Sequence, residues 1–322
     1  MQSRRVAFWV TRKFAGLVIA ALAALIWFGV ARSDKPLAFW LIQSLNSFSL
    51  GGLLFLLSAG FSLIFGLMRI ANLSHGAYFM LGAYIGLSAL RAGANFFVAM
   101  LAAGLAVALL GGLIERFVIR RLSANPLGQV LATLGIAFII ADGCLLYWTG
   151  DPQQLATPEL LRGVFRIGDA VFPKYRIAVV GLACVFAIAL WLLLEKTRIG
   201  AMIRAGVDDM EMARGVGIPV SFLFTAVFCL GSFLAGAGGV LGGPILSVYP
   251  GLDTDMLPLA LVVVILGGVG SLVGAFAGSF IIGFVYTFGQ TLMPDLAYMI
   301  LFLPMILVLA LRPRGLFGRI TA

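Results

Sequence analysis

Long apolar runs dominate this sequence and constrain its fold more than any other feature. A helix needs about 20 apolar residues to cross a bilayer, and a run of 17 or more is a candidate span. About ten runs qualify or come close, near 14–30, 47–68, 76–92, 96–114, 127–148, 175–194, 219–243, 256–269, 271–290 and 297–311. Of the 322 residues, 62% are hydrophobic and 11% are charged, too few charges to cover a soluble domain of this length. We therefore predict an all-α polytopic membrane protein with about ten transmembrane or half-spanning helices.

The eighth run, 256–269, is too short to cross the membrane comfortably at about 1.5 Å per residue. Gly267, Gly268 and Gly270 stand at its end. Glycine weakens a helix because it has the largest conformational freedom of any residue. We expect this run to form a half-helix that stops within the membrane.

The basic residues are distributed unevenly between alternate loops. If the N-terminus is cytoplasmic, fifteen of the 22 lysines and arginines lie in inner segments and seven in outer ones. This asymmetry follows the positive-inside rule and predicts that both termini are cytoplasmic. The net charge of +9 therefore reports membrane orientation and not nucleic acid binding. The first run is typical of a signal peptide cleaved after Ala31 or of an uncleaved anchor.

The stretch 69–76 is polar, yet it joins two apolar runs almost without a loop. Asn72, Ser74 and His75 supply donors and acceptors that can satisfy irregular backbone, and Gly76 follows them. Such backbone is tolerated at membrane depth only where protein or a water-filled cavity surrounds it. Two interpretations stay open: a broken helix at a translocation pathway, or a short cytoplasmic turn whose histidine caps a helix.

The inner segment 195–219 carries an amphipathic helical pattern. Arg204, Asp208 and Glu211 share a charged face, with Arg204 and Asp208 four residues apart. The helix lies across the cytoplasmic mouth against a soluble partner, or it floats among lipid headgroups. The apolar stripe on its opposite side consists of Ile199, Met202, Ile203, Gly206, Val207, Met210 and Ala213.

Two features of the predicted outer half are candidates for a functional role. The loop 149–174 is rich in turn residues and alternating stretches, which indicates a small hairpin for docking or a plain connector. Asp142 is the one acidic residue clearly inside an apolar run, where an unpaired charge is costly. It lines a solute path, or it lies near enough to the outer surface to be hydrated.

No enzymatic constellation is visible. None of the four lysines stands in a phosphate-binding G-x-x-x-x-G-K-[ST] loop, so we expect no ATPase activity from this chain. His75 is the one histidine, and no nucleophile motif accompanies it. The sequence offers no cluster for a metal site and no cofactor site.

Several separated segments resemble the permease subunits of bacterial ABC importers for branched-chain amino acids, a family that also serves other amino acids, amides and urea. The most selective segment is IANLSHGAYFMLGAY at 70–84. The others are 46–66, 197–218, 266–278 with the sequence LGGVGSLVGAFAG, and the arginine-glycine end at 312–318. The resemblance covers about residues 45–318.

The resemblance implies a permease domain at 37–318 in the bacterial cytoplasmic membrane, preceded by 1–36 outside the family core and followed by a tail at 319–322. It implies a second permease subunit, two cytoplasmic ATPases that bind ATP and Mg, and an extracytoplasmic solute-binding protein. The helix breaks along the path would be shaped by Asn72, Ser74, His75, Gly76, Gly267, Gly268 and Gly270. ATPase coupling would fall to Arg198, Gly200, Arg204, Asp208, Glu211, Ala213 and Gly217.

The chain departs from the family pattern at its first span and at Asp142, where an uncharged amide is expected. The solute therefore stays open between branched-chain amino acids and the more polar urea, amides, sugars or nucleosides. A stand-alone ion-coupled carrier is the rival outside the ABC class, and the scarcity of buried ionisable residues counts against it.

Overall fold

The computed structural model of the chain describes residues 33–313 and 315–318, together with isolated positions between 16 and 31. Most of the predicted first span at 14–30 lies outside the described residues, as do the basic residues before it and the tail 319–322.

The described residues form eleven α-helices and one β-hairpin. A π-helical turn, Glu115–Ile119, continues α3 at its C-terminal end. The strands β1 and β2 pair antiparallel in the outer loop, within the stretch where the sequence indicates a hairpin. The elements are α1 Leu37–Met68, α2 His75–Arg91, α3 Phe96–Ile114, α4 Pro126–Trp148, β1 Val164–Ile167, β2 Ala170–Pro173, α5 Lys174–Lys196, α6 Arg198–Asp208, α7 Met210–Gly215, α8 Val220–Leu246, α9 Leu252–Gly267, α10 Leu272–Leu292 and α11 Ala297–Leu311.

Seven helices in the described part of the chain are long and apolar enough to cross a membrane. They are α1, α3, α4, α5, α8, α10 and α11, some with the short turns that adjoin them. The helices α2 and α9, with 17 and 16 residues, are shorter. The prediction of an all-α polytopic membrane protein is therefore confirmed.

Helix α1 lies at the centre of the bundle, and α8 packs beside it. Gly60 of α1 meets Gly231 of α8 so closely that a Cβ added at Gly60 would lie 2.6 Å from the Gly231 carbonyl oxygen. Small residues at such crossings let two backbones approach. Helices α2, α5, α9 and α10 also contact α1, so that most of its residues from Ser47 onward are buried.

Polar residues just before several helices explain where those helices begin. The side chains of Asn95, Asn125 and Ser271 each accept a backbone N–H from the first turn of α3, α4 and α10. Each cap satisfies a donor that has no partner within the helix. The helix starts therefore match the sequence expectation to within a residue or two at these three places.

Two expectations need correction. The helix predicted from residue 47 begins at Leu37, because the polar residues in its first turns are paired: Gln43 donates to Thr291 of α10 at 2.8 Å. The amphipathic segment is two helices and not one. It breaks at Asp209, whose side chain accepts the Met212 N–H at 2.9 Å and so starts α7.

Candidate functional site

A cavity of about 520 Å³ lies among the C-terminal ends of α1 and α5, helix α6, and the segment that joins α9 to α10. It brings together two groups of residues that the sequence predicts separately. Arg204 and Asp208 line it from α6, and Gly270 lines it from the glycine segment. Other lining residues are Leu63, Gly66, Arg69, Trp191, Glu195, Ile203, Val207 and Ser271.

The glycine segment packs directly on α1 and lies beside α6. A Cβ added at Gly66 would lie 2.6 Å from the Cα of Gly270, and one added at Gly270 would lie 3.9 Å from Val207 Cγ1. The Gly270 N–H also donates to Ser62 Oγ at 3.1 Å. Gly268 and Gly270 have φ values of 98° and 74°, a region that favours glycine. The backbone can therefore turn here between α9 and α10 without a side chain in the way.

The C-terminal segment closes over the end of α9. The N–H groups of Leu316 and Phe317 donate to the carbonyls of Leu266 and Gly267 at 2.8 and 2.9 Å. These bonds satisfy acceptors that a helix end leaves free. The segment 312–318 is one of the stretches that carry the family resemblance. Its contact with Gly267 could not be predicted, because no local sequence pattern indicates it.

The charged residues of α6 and α7 divide between the cavity and the solvent. Arg204 Nη1 lies 3.6 Å from Glu195 Oε2 of α5, an ion pair too long for a hydrogen bond. Asp208 lines the cavity and is exposed. The other predicted charged and glycine positions that are exposed are Arg198, Glu211 and Gly217.

The apolar stripe of the segment is mostly covered. Ile203 is 4% exposed and Ala213 is 2% exposed, whereas Ile199 is 41% exposed and does not join the packed face. Gly200 is buried where α6 crosses the last turn of α5, so close that a Cβ would meet the carbonyl oxygens of Leu193 and Leu194. A side chain at position 200 would push α6 away from α5.

The polar stretch before α2 is enclosed by protein. Asn72, Ser74 and His75 are 1%, 0% and 0% exposed. Asn72 Oδ1 accepts from Ser74 Oγ at 2.6 Å, and His75 Nε2 donates to the carbonyl of Leu57, in the middle of α1, at 2.9 Å. The histidine does not cap α2, which has no side-chain cap. Of the two interpretations, the geometry favours a broken, buried entry into α2 over an exposed turn.

Some polar atoms of this stretch have no hydrogen-bond partner. They are Asn72 Nδ2, His75 Nδ1 and, one turn into α2, the Tyr78 hydroxyl. Gly76 faces α9, because a Cβ there would lie 2.9 Å from Leu257 Cβ. The first turns of α2 and α9 therefore meet inside the bundle, beside a group of unsatisfied donors and acceptors.

The loop after α4 joins the ends of three helices. Gln153 and Val248 exchange backbone hydrogen bonds of 2.7 and 2.6 Å, and Arg91 at the end of α2 donates to Gln153 Oε1 at 2.6 Å. Next to this bridge, the Tyr249 hydroxyl donates to Asp255. Burial and this bond raise the pKa of Tyr249 above its ordinary value. The C-terminal ends of α2 and α8 and the start of α9 are thus held together.

Asp142 is exposed on α4, six residues before the helix ends at Trp148. At about 1.5 Å per residue this is roughly 9 Å from the outer end of the helix. The side chain of Asp142 is therefore on the surface of the described helices and not among the buried residues of the bundle.

The sequence analysis does not predict a buried ion pair that lies just after the C-terminal end of α3. Glu115, 0% exposed, binds Arg120 through two hydrogen bonds of 3.0 and 2.7 Å and accepts from Thr225 of α8 at 2.7 Å. Arg120 also donates to the Ser221 carbonyl at 2.8 Å. The five-residue spacing of Glu115 and Arg120 matches the π-helical turn between them, not an α-helix, so a search for i,i+4 pairs misses it.

Residues 43–309 match the family described as the permease component of branched-chain amino acid transport systems. The permease protein BraD of the high-affinity branched-chain amino acid transport system of Pseudomonas aeruginosa is 28% identical over 87% of this chain and 96% of its own. LivH of Escherichia coli, with the same description, is 27% identical over 89% and 98%.

A more distant match is the fructose import permease protein FrcC of Rhizobium meliloti, 31% identical over 65% of this chain and 60% of its own. No solved structure is significantly similar to the chain. The family match covers most of the bundle, from the first turns of α1 to the last turn of α11. The chain therefore belongs to the family of permease components of branched-chain amino acid transport systems.

Proposed function

We propose that this chain forms part of the transmembrane path of an ATP-driven importer for branched-chain or related amino acids. The proposal rests on family membership and on one structural observation: Val207 of α6 and Gly270 at the turn between α9 and α10 line one cavity, so close that a Cβ at Gly270 would lie 3.9 Å from Val207 Cγ1. A movement of the cytoplasmic segment would therefore reach a glycine turn inside the bundle directly.

The contact with the ATPases would lie on α6 and α7. Their apolar side is held against the bundle by Ile203 and Ala213, whereas Arg198, Asp208 and Glu211 are exposed. ATP and Mg would be bound by two such partner subunits. ATP binding can drive transport only if the partners bind one permease state more tightly than the other.

The remaining subunits and the orientation follow from the same proposal. The chain would be a multi-pass protein of the bacterial inner membrane with both termini in the cytoplasm, paired with a second permease. A solute-binding protein would dock on the outer face, where the hairpin β1–β2 and the Gln153–Val248 bridge lie. Asn72, Ser74, His75 and Gly76, with the glycines at 267, 268 and 270, would shape the path.

Sugar import is the second candidate, because the fructose permease FrcC is similar to 65% of the chain. Branched-chain amino acids are favoured because BraD and LivH match more of it, 87% and 89%. An ion-coupled carrier would transport without ATP and without partners.

The test begins with the tagged chain expressed in a bacterial membrane together with the products of its neighbouring genes. Recovery of a second permease and an ATPase supports the proposal. Uptake of labelled leucine by vesicles holding the purified complex and its binding protein is then measured against unlabelled leucine, urea and fructose. Uptake by the chain alone, driven by an ion gradient, would overturn the proposal.

A further inference from the structure

Two acidic side chains are buried in the described part of the chain, and they differ in one respect. Glu115 is 0% exposed and is paired with Arg120, whereas Asp253 is 8% exposed and forms no ion pair with a described residue. Its Oδ1 is buried without any hydrogen-bond partner. A buried carboxylate without a cation is unfavourable, and proteins keep such groups mostly where they act on something.

Asp253 lies where helices α9 and α2 meet. It stands in the first turn of α9, and its backbone carbonyl abuts Gly76 in the first turn of α2. Along the same helix α2, eight residues after Gly76, Tyr84 is also buried. The Tyr84 hydroxyl is also buried without a hydrogen-bond partner, and its ring stacks on Trp148 at 5.0 Å.

The surroundings supply the carboxylate with donors from its own turn but with no cation. Backbone N–H groups of Gly251, Asp253 and Thr254 lie near it. The ion pairs among the described residues are Arg120–Glu115, Arg162–Glu159 and Arg204–Glu195, and none of them includes Asp253. A carboxylate has about four acceptor positions, so capacity remains for a charged donor.

We propose that Asp253 binds the ammonium group of the transported amino acid. An ammonium group offers three donors and a positive charge to the Asp253 oxygen that has no hydrogen-bond partner. The site is closed in this structure. The Gln153–Val248 bridge joins the outer loop to the segment before α9, five residues before Asp253. Release of this bridge would therefore open a route to Asp253 from the outer side.

This inference rests on the proposed function, and its test keeps the two apart. The complex with its partner subunits and binding protein is reconstituted in vesicles with wild-type chain, Asp253→Asn, and Asp295→Asn as the control. Asp295 is exposed at the far end of α10, so its change removes the same charge from a position without burial. Leucine uptake and the thermal midpoint of each purified complex are measured.

The expected result combines two readouts. Asp253→Asn lowers leucine uptake about tenfold or more, as expected for the loss of a charge-assisted contact, while the thermal midpoint stays unchanged or rises. A carboxylate that only supports the fold would give a lowered midpoint or a complex that fails to assemble, and either result would overturn the inference. Normal uptake by Asp253→Asn would overturn it as well. Wild-type vesicles that take up no leucine would instead refute the proposed function.

Discussion

Val207 of helix α6 and Gly270 of the turn between α9 and α10 both line the cavity described above, close to each other. A Cβ at Gly270 would lie 3.9 Å from Val207 Cγ1, and Gly66 of α1 lies on the other side of the same glycine. The segment proposed to meet the ATPases and a helix junction in the bundle therefore share one packing site.

Close packing at Gly66 predicts that a single methyl group disturbs this site. Gly66→Ala would place Cβ 2.6 Å from the Gly270 Cα, so the backbone must shift, at a cost of about 1–3 kcal/mol typical of overpacking. We expect a lower thermal midpoint and reduced uptake. The control is Gly135→Ala on α4, where a Cβ meets nothing within 4 Å. Equal behaviour of both variants would refute the importance of this contact.

Charge reversal on α6 should separate ATP hydrolysis from transport. Arg204→Glu and Asp208→Arg are each made singly, and we expect both complexes to assemble. Solute uptake per ATP hydrolysed should fall by about 5–150-fold, which corresponds to a lost coupling free energy of about 1–3 kcal/mol. Arg204 would lose its contact with Glu195, and both positions line the cavity. Arg121→Glu, at an exposed position after α3, is the charge-matched control. Normal uptake in both α6 variants would remove these residues from the mechanism.

The buried pair at the inner end of α3 should contribute far more to stability than an exposed pair. Glu115→Ala leaves Arg120 without its carboxylate, and breaking a buried pair costs about 3–5 kcal/mol. Glu159→Ala breaks the pair with Arg162 in the outer loop, where the side chains are 89% and 61% exposed, and should cost about 0–1 kcal/mol. Thermal unfolding of the purified chain compares them. Similar losses in the two variants would contradict the geometry around Glu115.

The outer bridge can be locked covalently. Gln153 and Val248 exchange two backbone hydrogen bonds, and residues paired in this way have Cα atoms about 5.5 Å apart, within the range of a disulfide. In a chain whose native cysteines are replaced, Gln153→Cys with Val248→Cys should cross-link on oxidation and lose uptake, which a reductant restores. Each single variant is the control. Full uptake by the oxidised double variant would mean that the bridge need not open.

Much of the helical architecture follows from apolar runs, because hydrocarbon thickness fixes how long a span must be. Caps such as Asn95 and Asn125 also fix helix starts locally. Periodicity within the spans says less about which side faces the core, since lipid is as apolar as the protein interior. The sequence therefore does not place Val207 against Gly270.

Two further features depend on contacts between distant parts of the chain. Asp253 looks like an ordinary first-turn acid in the sequence, and its burial becomes visible only where the first turn of α9 meets α2. The helix break at Asp209 has a local cause, its side-chain cap on α7. The apolar stripe continues across the break, so periodicity alone predicts one helix. Asp142 attracts attention in the sequence because it interrupts an apolar run, yet the structure leaves it exposed on α4.

The most direct test of the proposed coupling is site-specific photo-cross-linking from position 211, which is exposed on α7. A photoreactive amino acid replaces Glu211 in the chain expressed with its neighbouring genes, and the membranes are illuminated. We expect an adduct with an ATPase subunit, and none from the same amino acid at Asp295 on the outer end of α10. A complex that assembles and transports normally, but gives only lipid or no adducts at position 211, would contradict the role assigned to α6 and α7.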